Sequence, residues 1–455
     1  MPTQSRTPFL IMVLLVFLAS CTSNPYVYKN IDAENPYQTD FLMLAGYIRK
    51  NHAGFYRTPL QTISFHDYDE LVATTAQRLK NVSNASNFYY EIGPFITSLR
   101  DGHTRINALV GKSMGIGAWW FDDRLVVTSV TDPLAADILY SEIIAISGKP
   151  VGDIEKIANQ FIPADMGQDD YKKLYSPDLM LSNFLLLHLG LMNEREEVEL
   201  TVVQNNEKRN ITLACTFPSA SSASAVPVKF RNSTTKIKLG NTYAIIPDSN
   251  SLYVQLNSLP QSGYSEFWHE AFDYAQRNKA ASIILDLRNN SGGNSIWCNE
   301  FLSYIIDKPR DLFVYDGWKS NYPYGNVKVS NGVWPMKPKN SELSFTGKIA
   351  VLTSRQTFSS ATFFVVAIKD NDLGIIIGDQ VGNGSIRYGF MSDPITLPYT
   401  KIKFATTHYI WARANKEMLA REGASILPNI RVYETIEDLK SGTDPVYEKA
   451  IEYLE

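Results

Sequence analysis

The chain has 455 residues, 44% of them hydrophobic, with a formal net charge of -4. That apolar content supports more than one core, and the length suggests two or three domains. No basic stripe points to nucleic acid, and none of the cysteines or six histidines cluster at metal-ligand spacing, so neither a metal nor another cofactor is expected.

Residues 1–20 read as a secretory signal. A polar start carrying Arg6 leads into Phe9-Leu-Ile-Met-Val-Leu-Leu-Val-Phe-Leu18, which is too short to span a bilayer as a mature helix. Leu18-Ala-Ser-Cys21 resembles a bacterial lipobox. The resemblance implies an acylated Cys21, a polar tether over 21–36, and a lipid-anchored chain in a bacterial cell envelope, facing periplasm or cell surface. The remaining Cys215 and Cys298 fall in different regions and are expected free and buried rather than paired.

Residues 37–109 read as mostly helical. Phe41–Ile48, Tyr68–Leu79 and Phe88–Leu99 show helical spacing and bring the chain to the polar loop Ser98-Leu-Arg-Asp-Gly-His-Thr-Arg105. His103 in that loop is a candidate base, because an ordinary histidine is mostly neutral at pH 7. A lone histidine is more often a surface or satisfied core residue, so it needs companions.

From 110 to 215 the pattern turns to strands. Arg124–Val130 and Ile143–Val151 come first, the latter running through a glycine turn into a helix starting near Asp153. Glu197–Val203 and Arg209–Leu213 then form a hairpin around Asn205-Asn206. This region resembles a PDZ domain with a helical insertion near Pro177–Met192, and such domains add an extended peptide to a sheet edge. A generic small β domain is the plainer alternative. Residues 216–228, rich in serine and alanine, read as a linker.

From 229 to 455, strand-like and helical stretches alternate. They run from Leu252–Leu256 and a helix over 265–278 to the Ile283 strand, a helix over 295–306, the Ile349 strand, a helix over 362–369 and the Ile375 strand. That order predicts an α/β sheet with its reacting loops at one end. In one loop, Gly292 and Gly293 free the backbone to aim N–H groups at a ligand. In another, Ser359 stands where a buried strand gives way to a helix, whose unpaired N–H groups favour developing negative charge. Trp297 and Trp318 are candidate groove residues.

Asp-Gly-His-Thr, Asp-Leu-Arg-Asn-Asn-Ser-Gly-Gly and Phe-Ser-Ser-Ala, in that order, resemble the tail-specific (C-terminal processing) serine proteases, which include a tricorn-like branch. Ile375–Asp379 with Gly382-Asn383-Gly384, and Glu422 to Val432 with Pro428-Asn429, extend the likeness over about Phe88–Val432. The resemblance implies a ClpP/crotonase-like α/β catalytic core beside a helical region and a PDZ-like domain. It places Ser359 as nucleophile, with the N–H groups of Ser360 and of Gly292 or Gly293 as the oxyanion hole. The better-known branch has a lysine base where this chain has Asn383, which is no useful proton acceptor; Lys369 and Lys401 do not fit that slot. The tricorn-like arrangement implies His103 as base and Glu422 as its distant carboxylate. Gly102 stands where that branch has a linking serine, and Asp101 is a second candidate to orient the ring.

The expected function is therefore an envelope-anchored serine endopeptidase or oligopeptidase acting on a peptide or protein substrate. The alternative is a catalytically inactive peptide- or ligand-binding lipoprotein on the same fold. A scaffold built around the PDZ-like region is a weaker third reading.

Overall fold

The structure is a computed structural model describing residues 28, 31–55, 63–106, 111–216, 236–238, 240–247, 249–320, 326–339, 342–413 and 415–455. The expected signal, Cys21, most of the tether and the linker beyond Thr216 lie outside the described residues. No described helix is long and apolar enough to cross a membrane.

The N-terminal helices are Pro36–Asn51, Phe65–Arg78 and Ala85–Thr97. Asn35, Ser64 and Asn84 cap their first turns by accepting a backbone N–H that the helix itself leaves unpaired. The apolar faces, including Phe41, Leu44, Val72, Ile92 and Phe95, close over Leu397 and Phe404 from the far end of the chain. Buried Asp40 accepts the Tyr399 and Thr400 N–H groups at 2.9 and 2.6 Å. These contacts fasten the helices to the C-terminal half, and with them the loop that follows Thr97.

The next region is an antiparallel sheet. Its strands Ile116–Phe121, Arg124–Val130, Glu142–Ile146, Glu197–Gln204 and Glu207–Ala214 lie in sequence order, with the short Lys149–Pro150 pairing on the third. Asn205 and Asn206 turn the hairpin at φ of 52° and 65°, the left-handed pair that matches strand twist in a two-residue loop. The helix after Pro150 begins at Val151, two residues before the expected start. The helical insertion expected near Pro177–Met192 holds the short helices Ser176–Met180 and Asn183–His188, and a third, Asp169–Lys172, precedes it.

The C-terminal half holds a seven-stranded sheet in the order Ile430–Arg431, Ile375–Gly378, Lys348–Thr353, Ser282–Asp286, Ser251–Gln255, Asn241–Ile246, Lys236–Lys238. The first five run parallel and the last two pair antiparallel. Strand side chains alternate between two cores. Ile283, Leu285, Ile349 and Val351 face the helices Tyr264–Arg277, Ile296–Ile305 and Ala361–Asp370. Ile284, Ala350 and Leu352 face the helix Pro445–Leu454. Because both faces are covered, the free loops gather at the carboxyl ends of the parallel strands. Trp297 is fully buried in the first core and donates to Pro260 O at 2.8 Å, so it lines no groove; the side chain of Trp318 lies outside the described residues. Cys215 and Cys298 are free and buried.

Arg288 ties the end of the central strand to the C-terminal helix. Its guanidinium donates to Asp286 at 2.7 Å and to Asp444 at 2.7 and 2.8 Å, while Asp444 also caps that helix through the Tyr447 N–H. Burial works against the charge of Asp286, but Arg288 outweighs it and holds the carboxyl below its ordinary range. The pairing therefore stabilises the fold above about pH 4, the unfolded carboxyl's range, and fades as pH falls through the lower folded value. Arg288→Ala leaves two largely buried carboxylates uncompensated and is expected to cost about 3–5 kcal/mol at neutral pH, read by thermal or urea unfolding. A loss under about 1 kcal/mol would contradict this account.

Candidate active site

Three loops at the carboxyl ends of the parallel strands converge with the histidine loop. Ser359 lies between the strand Lys348–Thr353 and the helix Ala361–Asp370. Its φ of 52° is a left-handed conformation that costs a non-glycine residue about 1–3 kcal/mol and persists only where neighbours enforce it. They do so here: the Ser359 N–H donates to Asn383 Oδ1, Thr362 Oγ1 donates to Ser359 O, and Phe358 N–H donates to Asn290 O at 3.0 Å.

His103 Nε2 lies 3.0 Å from Ser359 Oγ. To accept the hydroxyl proton there, the neutral ring must carry its own proton on Nδ1. Nδ1 is buried without a hydrogen-bond partner and faces Asp101 Oδ1 at 3.8 Å, an electrostatic contact too long for a hydrogen bond. Burial pushes the His103 pKa down to about 4; Asp101 opposes the fall, and Arg105 and Arg387 add to it. The ring is thus uncharged at neutral pH.

Asp101 anchors the loop. Fully buried, it accepts the His103 backbone N–H at 2.8 Å and the hydroxyls of Thr104 and Thr407 at 2.5 and 2.6 Å. His52 Nε2 stands 3.3 Å from Asp101 Oδ2, an electrostatic contact, and because the Gly54 N–H donates to Nδ1, the ring proton lies on the atom facing Asp101. Burial alone would raise the Asp101 pKa, but His52, His103 and Thr104 together hold it well below the usual range. A full negative charge therefore stands beside His103.

The glycine pair packs on Ser359. Gly292 and Gly293 have φ of 104° and 136°, and a Cβ on Gly292 would meet Ser359 Cβ at 2.6 Å and Ser360 N at 2.9 Å. The Gly292 N–H already donates to Asn290 Oδ1 at 2.8 Å. By contrast, the N–H groups of Gly293 and Ser360 donate to no group among the described residues. Ser360 Oγ holds Gly293 O at 2.5 Å, keeping those two backbone segments together. Of the expected donors, Gly293 and Ser360 are thus the pair left open, and Gly292 supplies close approach.

Glu422 is placed elsewhere. Its oxygens pair with Lys369 Nζ and, at 2.6 Å, with Arg413 Nη1; Arg413 also grips Asp370. None of its hydrogen bonds or ion pairs among the described residues goes to His103 or Ser359, so the carboxylate expected beside the base is Asp101 in this structure. Two buried cations competing for Glu422 explain why it stays behind. Lys369 and Lys401, which bonds Pro398 O at 2.6 Å, are likewise not partners of Ser359.

Sequence reading missed two contributors. Asp165, from the region read as PDZ-like, and Asn383, noted there only as a missing lysine, are both buried and bonded to each other at 2.7 Å. Asp101, His103 and Asp165 are close enough to suggest a cation site, but the carboxylate oxygens already accept N–H and O–H donors.

Glu422→Gln is expected to destabilise the fold by about 3–5 kcal/mol by leaving buried Lys369 without its carboxylate and Arg413 with Asp370 alone. Labelling of Ser359 by a fluorophosphonate, counted per folded molecule, should stay within about threefold, whereas removal of a catalytic proton-transfer group costs about 100-fold or more. Thermal unfolding with timed labelling separates the two roles.

Residues 250–432 match the model of peptidase family S41. Over 355 residues the chain is 24% identical to the carboxyl-terminal-processing peptidase 2, chloroplastic, of Arabidopsis thaliana, covering 73% of this chain and 59% of that protein. The chain thus spans about three-fifths of the length of the curated relative it matches. Mature CPAF complexed with lactacystin is similar in structure at a TM-score of 0.67 and 15% identity, over 92% of this chain and 97% of that one. Mature CPAF gives a TM-score of 0.66 at 16% identity, over 92% and 95%. At such identities the structural likeness is one of fold. The stretch that carries the central strands, the glycine pair and Ser359 is a peptidase family S41 domain.

Proposed function

We propose that the protein is a serine peptidase that cleaves peptide bonds through an acyl-enzyme on Ser359. The observation that carries this reading is the 3.0 Å contact between Ser359 Oγ and a neutral, buried His103. As Oγ bonds to the substrate carbonyl carbon, its proton passes to His103 Nε2. The carbonyl oxygen gains charge, which the open N–H groups of Ser360 and Gly293 are suited to receive. His103 returns the proton to the leaving amine, and water then repeats the sequence to release the acid. The imidazolium formed in each half gains from Asp101: at about 4 Å and an effective dielectric near 20, opposite charges attract by about 4 kcal/mol. That support offsets the burial that otherwise disfavours a charged ring.

The substrate we infer is a peptide or protein chain, by analogy with the carboxyl-terminal-processing peptidase, and a lipid on Cys21 would hold the enzyme at a bacterial envelope membrane. The analogy supports the first part, and Leu18-Ala-Ser-Cys21 the second. Cys21→Ser should move the protein from the membrane pellet to the soluble fraction and abolish fatty-acid incorporation; unchanged incorporation would refute the anchor.

A fluorophosphonate probe should label the wild type, and Ser359→Ala should remove the label. His103→Ala should lower kcat for peptide hydrolysis by about 10²–10⁴-fold, the usual contribution of a general base. Equal labelling of wild type and Ser359→Ala would eliminate Ser359 as nucleophile and favour a binding role.

A further inference from the structure

Asp165 belongs to a short segment of the middle region that enters the C-terminal half. Around it, Gln168 Nε2 donates to Ala424 O at 3.0 Å, and the ring of Tyr171 stacks on Phe358, the residue before the nucleophile, at 5.0 Å. Gln380 Nε2 donates to Asp170 at 3.2 Å. Asp165 itself is 3% exposed, and its carboxylate receives donors from both sides of the site. Oδ1 accepts the Gly102 N–H at 2.9 Å, immediately before His103. Oδ2 accepts Asn383 Nδ2 at 2.7 Å and the Gly384 N–H at 3.2 Å.

The bond to Asn383 decides more than its own geometry. With Nδ2 committed to Asp165, the Asn383 carbonyl oxygen must face the other way, where it accepts the Ser359 N–H. One carboxylate therefore holds the loop of the base and, through one amide, the strained backbone of the nucleophile. A shift of about 1 Å between reacting groups can cost about 100-fold in rate.

We propose that ionised Asp165 is the positioning residue that sets the distance between His103 and Ser359, so that insertion of residues 164–171 completes the site. The proposal rests on the peptidase reading above and adds a role for the middle region in assembling the catalytic pair. All three donors require acceptor oxygens, and an ionised carboxylate is the stronger acceptor for each; protonation fills the one lone pair they leave and weakens the three bonds together. The ionisable groups facing Asp165 are Asp101 and His103 from the histidine loop, Arg387 from the strand Ile386–Met391, and Tyr171 from its own segment. Burial, reinforced by the Asp101 charge, pushes its pKa up to about 6, above that of His103 at about 4. The acid limb of activity should follow the higher of the two groups.

The test is the rate of fluorophosphonate labelling and of peptide kcat from about pH 4 to about pH 8. In wild type both should fall as pH drops through about 6, whereas a profile governed by His103 alone would hold to about pH 4. Asp165→Asn resembles the protonated state. It should lower kcat about 100-fold with KM little changed and remove the limb near pH 6. Thermal unfolding checks that the variant folds; if it does not, Asp165→Glu, which keeps the charge but moves the oxygens by one methylene, should lower kcat while retaining an acid limb, and an unchanged kcat would overturn the proposal. A wild-type rate that stays flat to about pH 4, or a folded Asp165→Asn with an unchanged rate and limb, overturns the proposal while leaving the peptidase reading in place. Absence of wild-type labelling at every pH removes both.

Discussion

Ser359 and His103 are 256 residues apart in the chain, and their meeting at 3.0 Å depends on a buried arrangement of hydrogen-bond acceptors. Asp101 gathers the backbone of the histidine loop and two threonine hydroxyls, one of them Thr407 from the distant C-terminal half. Asp165 takes the next backbone N–H, that of Gly102, and reaches across to Asn383. Unpaired charges of this kind would be costly in an apolar interior. Surrounded by N–H and O–H donors, they become rigid fixtures, because moving any neighbour would leave a buried group unsatisfied.

The same two carboxylates titrate in opposite directions. Asp101 has His52 and His103 beside it and stays charged far into acid. Asp165, disfavoured as an anion first by burial and then by the Asp101 charge, loses its charge more readily. A fixed anion is what a transient imidazolium needs, and an acceptor shared between loops is what their registration needs. The charged network of Lys369, Arg413, Asp370 and Glu422 serves a different purpose: it fastens the end of the helix Ala361–Asp370 to the segment leading to Pro428.

Much of the C-terminal half was legible in its pattern. Apolar runs at Ile283, Ile349 and Ile375 became parallel strands because sheet burial on both faces leaves continuous hydrophobic stretches. Glycines at 292 and 293 were readable because glycine alone adopts their positive φ freely, and Ser359 because it stands where a buried strand gives way to a helix. The hairpin Arg310–Ser320 with Asn326–Met336 escaped notice, since its charged and glycine residues mask any alternation. The helix Pro445–Leu454 also escaped notice, although Asp444 before Pro445 is a standard start signal. Assigning Glu422 to the base failed because spacing to Pro428 says nothing about which cations a carboxylate will find.

By itself, the sequence determined the types of group available: a hydroxyl at a helix start, a glycine pair after a strand, an imidazole in a polar loop, and no lysine where Asn383 stands. Those choices are local, fixed by backbone conformation and side-chain chemistry within a few residues. Only tertiary structure decided which carboxylate stands beside the imidazole, which glycine N–H remains open, and that a segment of the middle region supplies Asp165. These depend on contacts across tens to hundreds of residues, where burial and competition among donors select one partner from many that the sequence equally allows.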